Sequence, residues 1–218
     1  MIIYSDLDFT LHHYTPAFVN AFLDMFGIEI DGCKLELFSG DWPLNVILTD
    51  YPQVTEKMLK MVCREVDKDT NWEPLPWQNC LVNALYIRQK KKRDSLRIVT
   101  ARSCGRKTIE QMTRGMFGTL SKNIHTFLCS RNSKHLMIKD GSIVFEDLAP
   151  TANLIGENCY NSLVFVPKWR WNEFSLQETE NVKFLDFNRL KSDESALEFF
   201  EEVEEKLEDL ALFNDRLF

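Results

Sequence analysis

No apolar run in this sequence approaches the ~20 residues that cross a bilayer, so a membrane-spanning role is not expected. No basic stretch followed by a long apolar segment opens it, so a signal peptide is not expected either, and a cytoplasmic location is. Six cysteines are present, yet there is no CxxC pair and no zinc-like spacing. Several of them sit in apolar runs such as Phe127-Leu-Cys129, so reduced, buried thiols of an intracellular protein are the simplest account. Positive charge is not in excess: 26 Lys and Arg face 33 Asp and Glu, a net charge of −7. Sequence-independent nucleic-acid binding rests on neutralising phosphates and is therefore not expected. A local basic pocket for a small phosphorylated molecule remains compatible with that balance. There is no internal repeat and no low-complexity linker.

What is present is ordinary for a globular chain: 218 residues, 44% hydrophobic and 27% charged, enough for one large domain or a core with a small second one. Residues 2–6 read as a short buried strand. Thr15-Pro16 marks a helix start with Thr as N-cap; Phe18, Phe22, Met25 and Phe26 repeat at helical spacing, and Gly27 ends the helix. From Glu29 to Trp77 there is no β alternation. Val54 to Val66 reads there as an amphipathic helix with Met58, Met61, Val62 and Cys63 near its apolar face. Residues 16–80 are expected to form a small helical cap, and 1–15 with 81–218 the core.

Beyond the cap, short apolar strands alternate with helices: Leu96–Thr100, Ile124–Cys129, Ser142–Phe145, Leu163–Val166 and Val182–Leu185, with helices over 78–93, 106–116, 133–138 and from Pro150. That alternation predicts an α/β fold, a Rossmann-like parallel sheet with helices on both faces and the cap inserted after the first strand. Lys90-Lys-Lys-Arg93 reads as a solvated helix end rather than a phosphate patch, since cations oppose the negative end of the helix dipole. Glu194–Leu212 is a strong helix whose stripe Leu197, Phe200, Val203, Leu207 and Leu210 could serve a homodimer; packing on the core or the cap is the favoured reading.

Four of the strands end in polar groups of the types phosphoryl transfer needs. The first ends in Asp6-Leu-Asp8, two carboxylates that repel unless a divalent cation or another positive charge sits between them. Thr100 ends the second, Lys134 lies just past the third, and Glu146-Asp147 ends the fourth. If these strands are parallel neighbours, all of the groups meet at one sheet edge. There a carboxylate can attack phosphorus, a protonated carboxyl can serve the leaving group, and a hydroxyl and a lysine can hold the phosphoryl oxygens. Lys139 competes with Lys134 but lies close to the Asp140-Gly141 turn, so Lys134 is preferred.

The ordered set Asp6-Leu-Asp8-Phe-Thr10, Val99-Thr100, Lys134 and Phe145-Glu146-Asp147 resembles the haloacid dehalogenase-like phosphatase superfamily, over about residues 1–166. The resemblance implies Asp6 as nucleophile and Asp8 as general acid/base, with Thr100 and Lys134 as phosphate ligands. It implies Mg2+ on the Asp6 carboxylate, the Asp8 backbone carbonyl and Asp147, with Glu146 as an outer acid. Within the superfamily the layout is most similar to the 5'(3')-deoxyribonucleotidases. This implies a small-molecule phosphomonoester substrate, a (deoxy)nucleoside monophosphate, with cap aromatics on the base; another small phosphoester or a nucleic-acid 3'-phosphate end is the alternative. Phe18, Phe38, Trp42 and Trp77 are the stacking candidates, although a place in the core is the favoured reading for each. Thr10 is expected to hydrogen-bond within its loop. Two departures stand out. Phe9 replaces the small residue of those enzymes. Thr100-Ala101-Arg102 replaces a hydroxyl pair followed by proline, and Arg102 reads either as an extra phosphate ligand or as a solvent-exposed strand end.

Overall fold

Strands this short and this apolar are stable only when covered on both faces, and that is how the chain uses them. In the computed structural model, which describes residues 1–37, 43–102 and 104–214, six strands form one sheet: β1 Ile2–Ser5, β2 Ser95–Thr100, β3 His125–Leu128, β4 Ile143–Phe145, β5 Leu163–Pro167 and β6 Val182–Leu185. Their order is β3-β2-β1-β4-β5-β6 and every pairing is parallel. Ile3 pairs with Leu96 on one side and Ile143 on the other. The sheet grows outward from β1 in one direction and from β4 in the other, which puts the topological switch point between β1 and β4.

One face carries α5 Pro76–Lys92, α6 Arg106–Phe117 and α8 Asp193–Asn214, whose Leu81, Leu85, Ile109, Met112, Phe200 and Val203 join Ile3, Ile98, Ile143 and Phe145 in one apolar cluster. The other face carries α7 Ala149–Asn158, with Ala152 and Ile155 against Tyr4, Val144 and Val164. The α/β architecture with helices on both faces is therefore as the alternating strands and helices indicate. The last helix lies on the core: Phe199, Phe200, Val203 and Leu210 are buried, and Leu197 and Leu207 are packed at the margin. The cationic end of α5 is spent locally, with Lys92 pairing with Glu204 at 2.8 Å and Arg93 closing the helix at φ 59°.

The remaining helices lie between β1 and α5 in the chain: α1 Tyr14–Phe26, α2 Gly32–Leu37, α3 Pro43–Asp50 and α4 Glu56–Val66. Phe18, Phe22, Ile30, Leu35, Ile47, Leu59, Val62 and Val66 form a second apolar cluster there. Gly27 ends α1 in the left-handed conformation expected of it, with its N–H on the Leu23 carbonyl. The start of α1 differs from expectation. The helix begins at Tyr14, so Thr15 lies inside it, its hydroxyl buried without a partner and capping nothing. Met61 is exposed rather than on the apolar face of α4, and Leu59 takes that place. The boundaries placed at 15/16 and 80/81 fall inside α1 and α5. Two contacts tie this layer to the β1 loop: the Trp72 indole donates to the Leu11 carbonyl at 2.9 Å, and the His13 N–H donates to the Glu73 carbonyl at 3.0 Å.

Candidate active site

The four polar strand ends do meet. Asp6 follows β1, anchored by its N–H on the Phe145 carbonyl at 2.8 Å, so the ends of β1 and β4 are joined directly beneath the site. Glu146 and Asp147 follow β4 and Thr100 ends β2. Lys134 comes from the 3-10 turn Arg131–Met137 after β3. Its ammonium lies 2.8 Å from Asp6 Oδ2 and 3.1 Å from Glu146 Oε2, with a side chain only 3% exposed. Lys139 is exposed, so Lys134 is the lysine of the site.

Charge does not balance there. Carboxylate oxygens of Asp6, Glu146 and Asp147 all lie within 4.8 Å of one another, and all three residues are buried. Three buried carboxyl groups crowd one ammonium, and a divalent cation would offset their mutual repulsion. Asp147 Oδ1 has no hydrogen-bond partner although it is buried, so a lone pair is left for a ligand to take. The residues thus fit a hard divalent ion. Burial, then the neighbouring Asp6 and Glu146, hold the Asp147 carboxyl well above the usual carboxylate range. Burial also raises Glu146, with Lys134 opposing. Burial works to lower the Lys134 ammonium, but Asp6, Glu146 and Asp147 outweigh it and the net shift is upward.

A cavity of about 330 Å³ opens above this cluster, and it takes in Asp6, Asp8, Phe9, Thr100, Ala101, Arg102, Lys134 and Asp147. Arg102 is not a solvent-exposed strand end: it lies in the cavity lining. Its side chain is 1% exposed, and it grips both oxygens of Asp8, with Nε at 2.9 and 3.0 Å and Nη2 at 2.5 Å. The Asp8 carboxylate accordingly stands apart from the acidic trio, and only its backbone carbonyl is left for a metal role. Glu146 sits behind the cavity wall, accepting from the Leu148 N–H at 3.3 Å.

Three other expected residues are not at the cavity. Thr10 is fully buried and its hydroxyl has no partner, so it makes no loop hydrogen bond. Phe18 is fully buried between Tyr14 and Phe22, because helical spacing puts it on the inward face of α1. Trp77 stacks on Phe187 at 4.6 Å, beside Trp169. Phe38 and Trp42 lie outside the described residues. The cavity recruits Tyr14, Cys63, Asp67, Arg131 and Leu148 instead. Cys63 and Asp67 are one helical turn apart at the end of α4, a spacing legible in sequence once that end is known to face the site. Burial, with Asp67 adding, pushes the Cys63 thiol up to about 11, so it is a thiol and not a nucleophile at neutral pH. Burial, with Cys63 and Asp8 nearby, raises the Tyr14 phenol well above its ordinary value and keeps its proton.

The loop from Asp6 to His13 is tightly wound: Phe9 N–H donates to the His12 carbonyl at 2.7 Å, and His12 N–H to the Leu7 carbonyl at 3.0 Å. Phe9 sits at φ 55°, an uncommon conformation for a residue with a bulky side chain. Its ring packs against Tyr14, Trp169 and Trp171 at 5.3–6.0 Å. His12 is 2% exposed with neither ring nitrogen partnered. Burial brings its pKa down to about 4 against the opposing field of Asp8, so it is neutral at pH 7. All six cysteines are free; Cys159 is buried as expected, Cys63, Cys80, Cys104 and Cys129 are only half-buried, and Cys33 is exposed, against expectation.

No protein-family model and no curated protein matches this sequence. A solved structure described as "Putative beta-phosphoglucomutase from Bacteroides vulgatus" superposes on 90% of this chain and 89% of its own, with a TM-score of 0.48 and 14% identity. A likeness that remote carries no functional weight, so the functional reading rests on the side chains.

Proposed function

We propose that the chain is a magnesium-dependent phosphomonoesterase that works through an aspartyl-phosphate on Asp6. The observation that carries this reading is the buried Asp6–Lys134–Glu146–Asp147 cluster at the sheet's switch point, three carboxyls around one ammonium. An Asp6 carboxylate oxygen bonds to phosphorus as the bond to the ester oxygen breaks. The departing oxygen takes a proton from the Asp8 carboxyl. Water then returns a proton to Asp8, attacks phosphorus and releases inorganic phosphate, restoring Asp6. Lys134 and Thr100 hold the non-bridging oxygens. Mg2+ on Asp6, Asp147 and the Asp8 backbone carbonyl would supply Lewis-acid charge that offsets the carboxylates and the incoming phosphate. The helices α1–α4 act as a cap over the cavity and present Tyr14, Cys63 and Asp67 to the leaving group. Because Arg102 occupies both Asp8 oxygens, Asp8 must give up one of these bonds each time it handles a proton.

The finer substrate reading, a (deoxy)nucleoside 5'- or 3'-monophosphate, rests on the sequence resemblance. Among the described residues, Phe9 and Tyr14 are the rings in the cavity lining that a base would meet. A second reading is a metal- and phosphate-binding module without turnover, and the Arg102 grip on Asp8 favours it. Phosphate release from a panel of nucleotides, sugar phosphates and 3'-phosphorylated DNA ends, with and without Mg2+, separates these readings. The expected result is Mg2+-dependent release that Asp6→Asn abolishes. Absence of release from every phosphoester, with Mg2+ bound, would overturn the enzyme reading; release confined to DNA ends would overturn the nucleotide reading alone.

A further inference from the structure

The segment running on from the last residue of β5, residues 167–172, touches both loops that carry the site, yet its side chains do not line the cavity. Asn172 is 1% exposed. Its amide donates to the Asp147 carbonyl at 2.7 Å and to the Pro167 carbonyl at 3.1 Å, while its oxygen accepts from the Ala149 N–H at 3.0 Å. One side chain therefore spans the backbone on both sides of the β4–α7 turn. The Trp171 indole adds a longer bond to the same Asp147 carbonyl, at 3.4 Å. The Trp169 indole donates to the Phe9 carbonyl at 3.1 Å. The two indoles are stacked at 5.0 Å and 9°, and the Phe9 ring meets both edge-on. Phe9 needs such support, because a bulky residue at positive φ is strained and persists only where its surroundings hold it.

We infer that Asn172 and Trp169 are positioning residues. Asn172 fixes the backbone that carries the Asp147 carboxylate, and Trp169 fixes the backbone that carries the Asp8 carbonyl and the Asp8 side chain. Together they set the spacing between the β1 and β4 loops in which a divalent ion would sit. This inference rests on the phosphatase reading for its metal but can fail independently of it. Partners that orient ligands from outside typically change metal affinity by about 10–100-fold when removed.

The test titrates Mg2+ alone into the full chain by calorimetry and, separately, measures turnover. Asn172→Ala is expected to weaken Mg2+ binding at least tenfold. Trp171→Phe keeps an aromatic ring but loses the indole N–H and the longer bond, and serves as the milder variant if Asn172→Ala does not fold; a smaller weakening, about twofold to fivefold, is expected. Trp169→Phe is expected to lower kcat about tenfold with KM within twofold, because the Asp8 loop loses its anchor while the cavity keeps its lining. Arg170→Ala, an exposed neighbour in the same segment, is expected to change neither quantity. Mg2+ affinity unchanged in folded Asn172→Ala, or in Trp171→Phe where that is the variant that folds, would overturn the inference. Loss of turnover in the unaltered chain with these Mg2+ effects intact would overturn the phosphatase reading and leave the inference standing. An unaltered chain that binds no Mg2+ would overturn both.

Discussion

Replacing His12 by leucine should flatten the acid side of the stability profile. The imidazole is 2% exposed and neither nitrogen has a partner, so only the neutral form is tolerated in the fold. Its pKa falls from 6.5 to about 4, with burial the largest cause and Asp8 opposing it. The sign follows from proton counting. Between pH 6.5 and 4 the unfolded chain binds a proton at this position that the folded chain does not, so stability falls as pH falls through that window. With about 1.4 kcal/mol per pKa unit, the cost is small at pH 7, about 2 kcal/mol at pH 5 and about 3 kcal/mol at pH 4. Leucine is of similar size, buries no polar atom and does not titrate. Urea denaturation of both chains at pH 7 and pH 5 isolates the residue, because the other titrating groups are shared. The variant should gain about 2 kcal/mol relative to the unaltered chain on going from pH 7 to pH 5, beyond any constant offset. Parallel profiles would refute the reasoning and mean that His12 finds a partner or solvent when charged.

Lys134→Met leaves Asp6 and Glu146 buried without their counter-charge, so stability in the absence of divalent ions should fall by about 3–5 kcal/mol in urea titrations, and phosphate release should be lost. Gly156→Ala places a methyl on Cγ2 of buried Val182 and should cost about 1–3 kcal/mol. Gly115→Ala, on α6 with open space around it, should instead stabilise by up to about 1 kcal/mol in the same assay. In thiol labelling at pH 8 followed by peptide mass spectrometry, exposed Cys33 should react well before Cys63, whose thiol burial pushes up to about 11.

The sheet and the meeting of its polar strand ends were legible because they are written locally. Four of the strands lead into polar residues, and in a parallel sheet those ends converge without further information. Lys134 could be preferred over Lys139 on chain geometry alone. Pairings across long separations were not legible. Arg102 and Asp8 lie 94 residues apart, and nothing near either residue announces the bond. Phe18 and Trp77 stayed stacking candidates beside the favoured core reading, because sequence pattern marks an apolar side chain without saying whether it meets a cavity or other side chains. Both meet side chains. Trp169, Trp171 and Asn172 occupy an irregular segment with no periodicity to weigh, and they account for Phe9, whose departure from a small residue has no explanation within its own stretch of chain.

The central claim is that Asp6 becomes phosphorylated. It is tested most directly by acid-quenching the chain within milliseconds of mixing with a turned-over phosphoester and Mg2+, then mapping the modified peptide by mass spectrometry. The account predicts one phosphoryl group on the peptide containing Asp6, removable by hydroxylamine and absent from Asp6→Asn. Undiminished phosphate release by Asp6→Asn, or a phosphoryl group on any other residue, would contradict it.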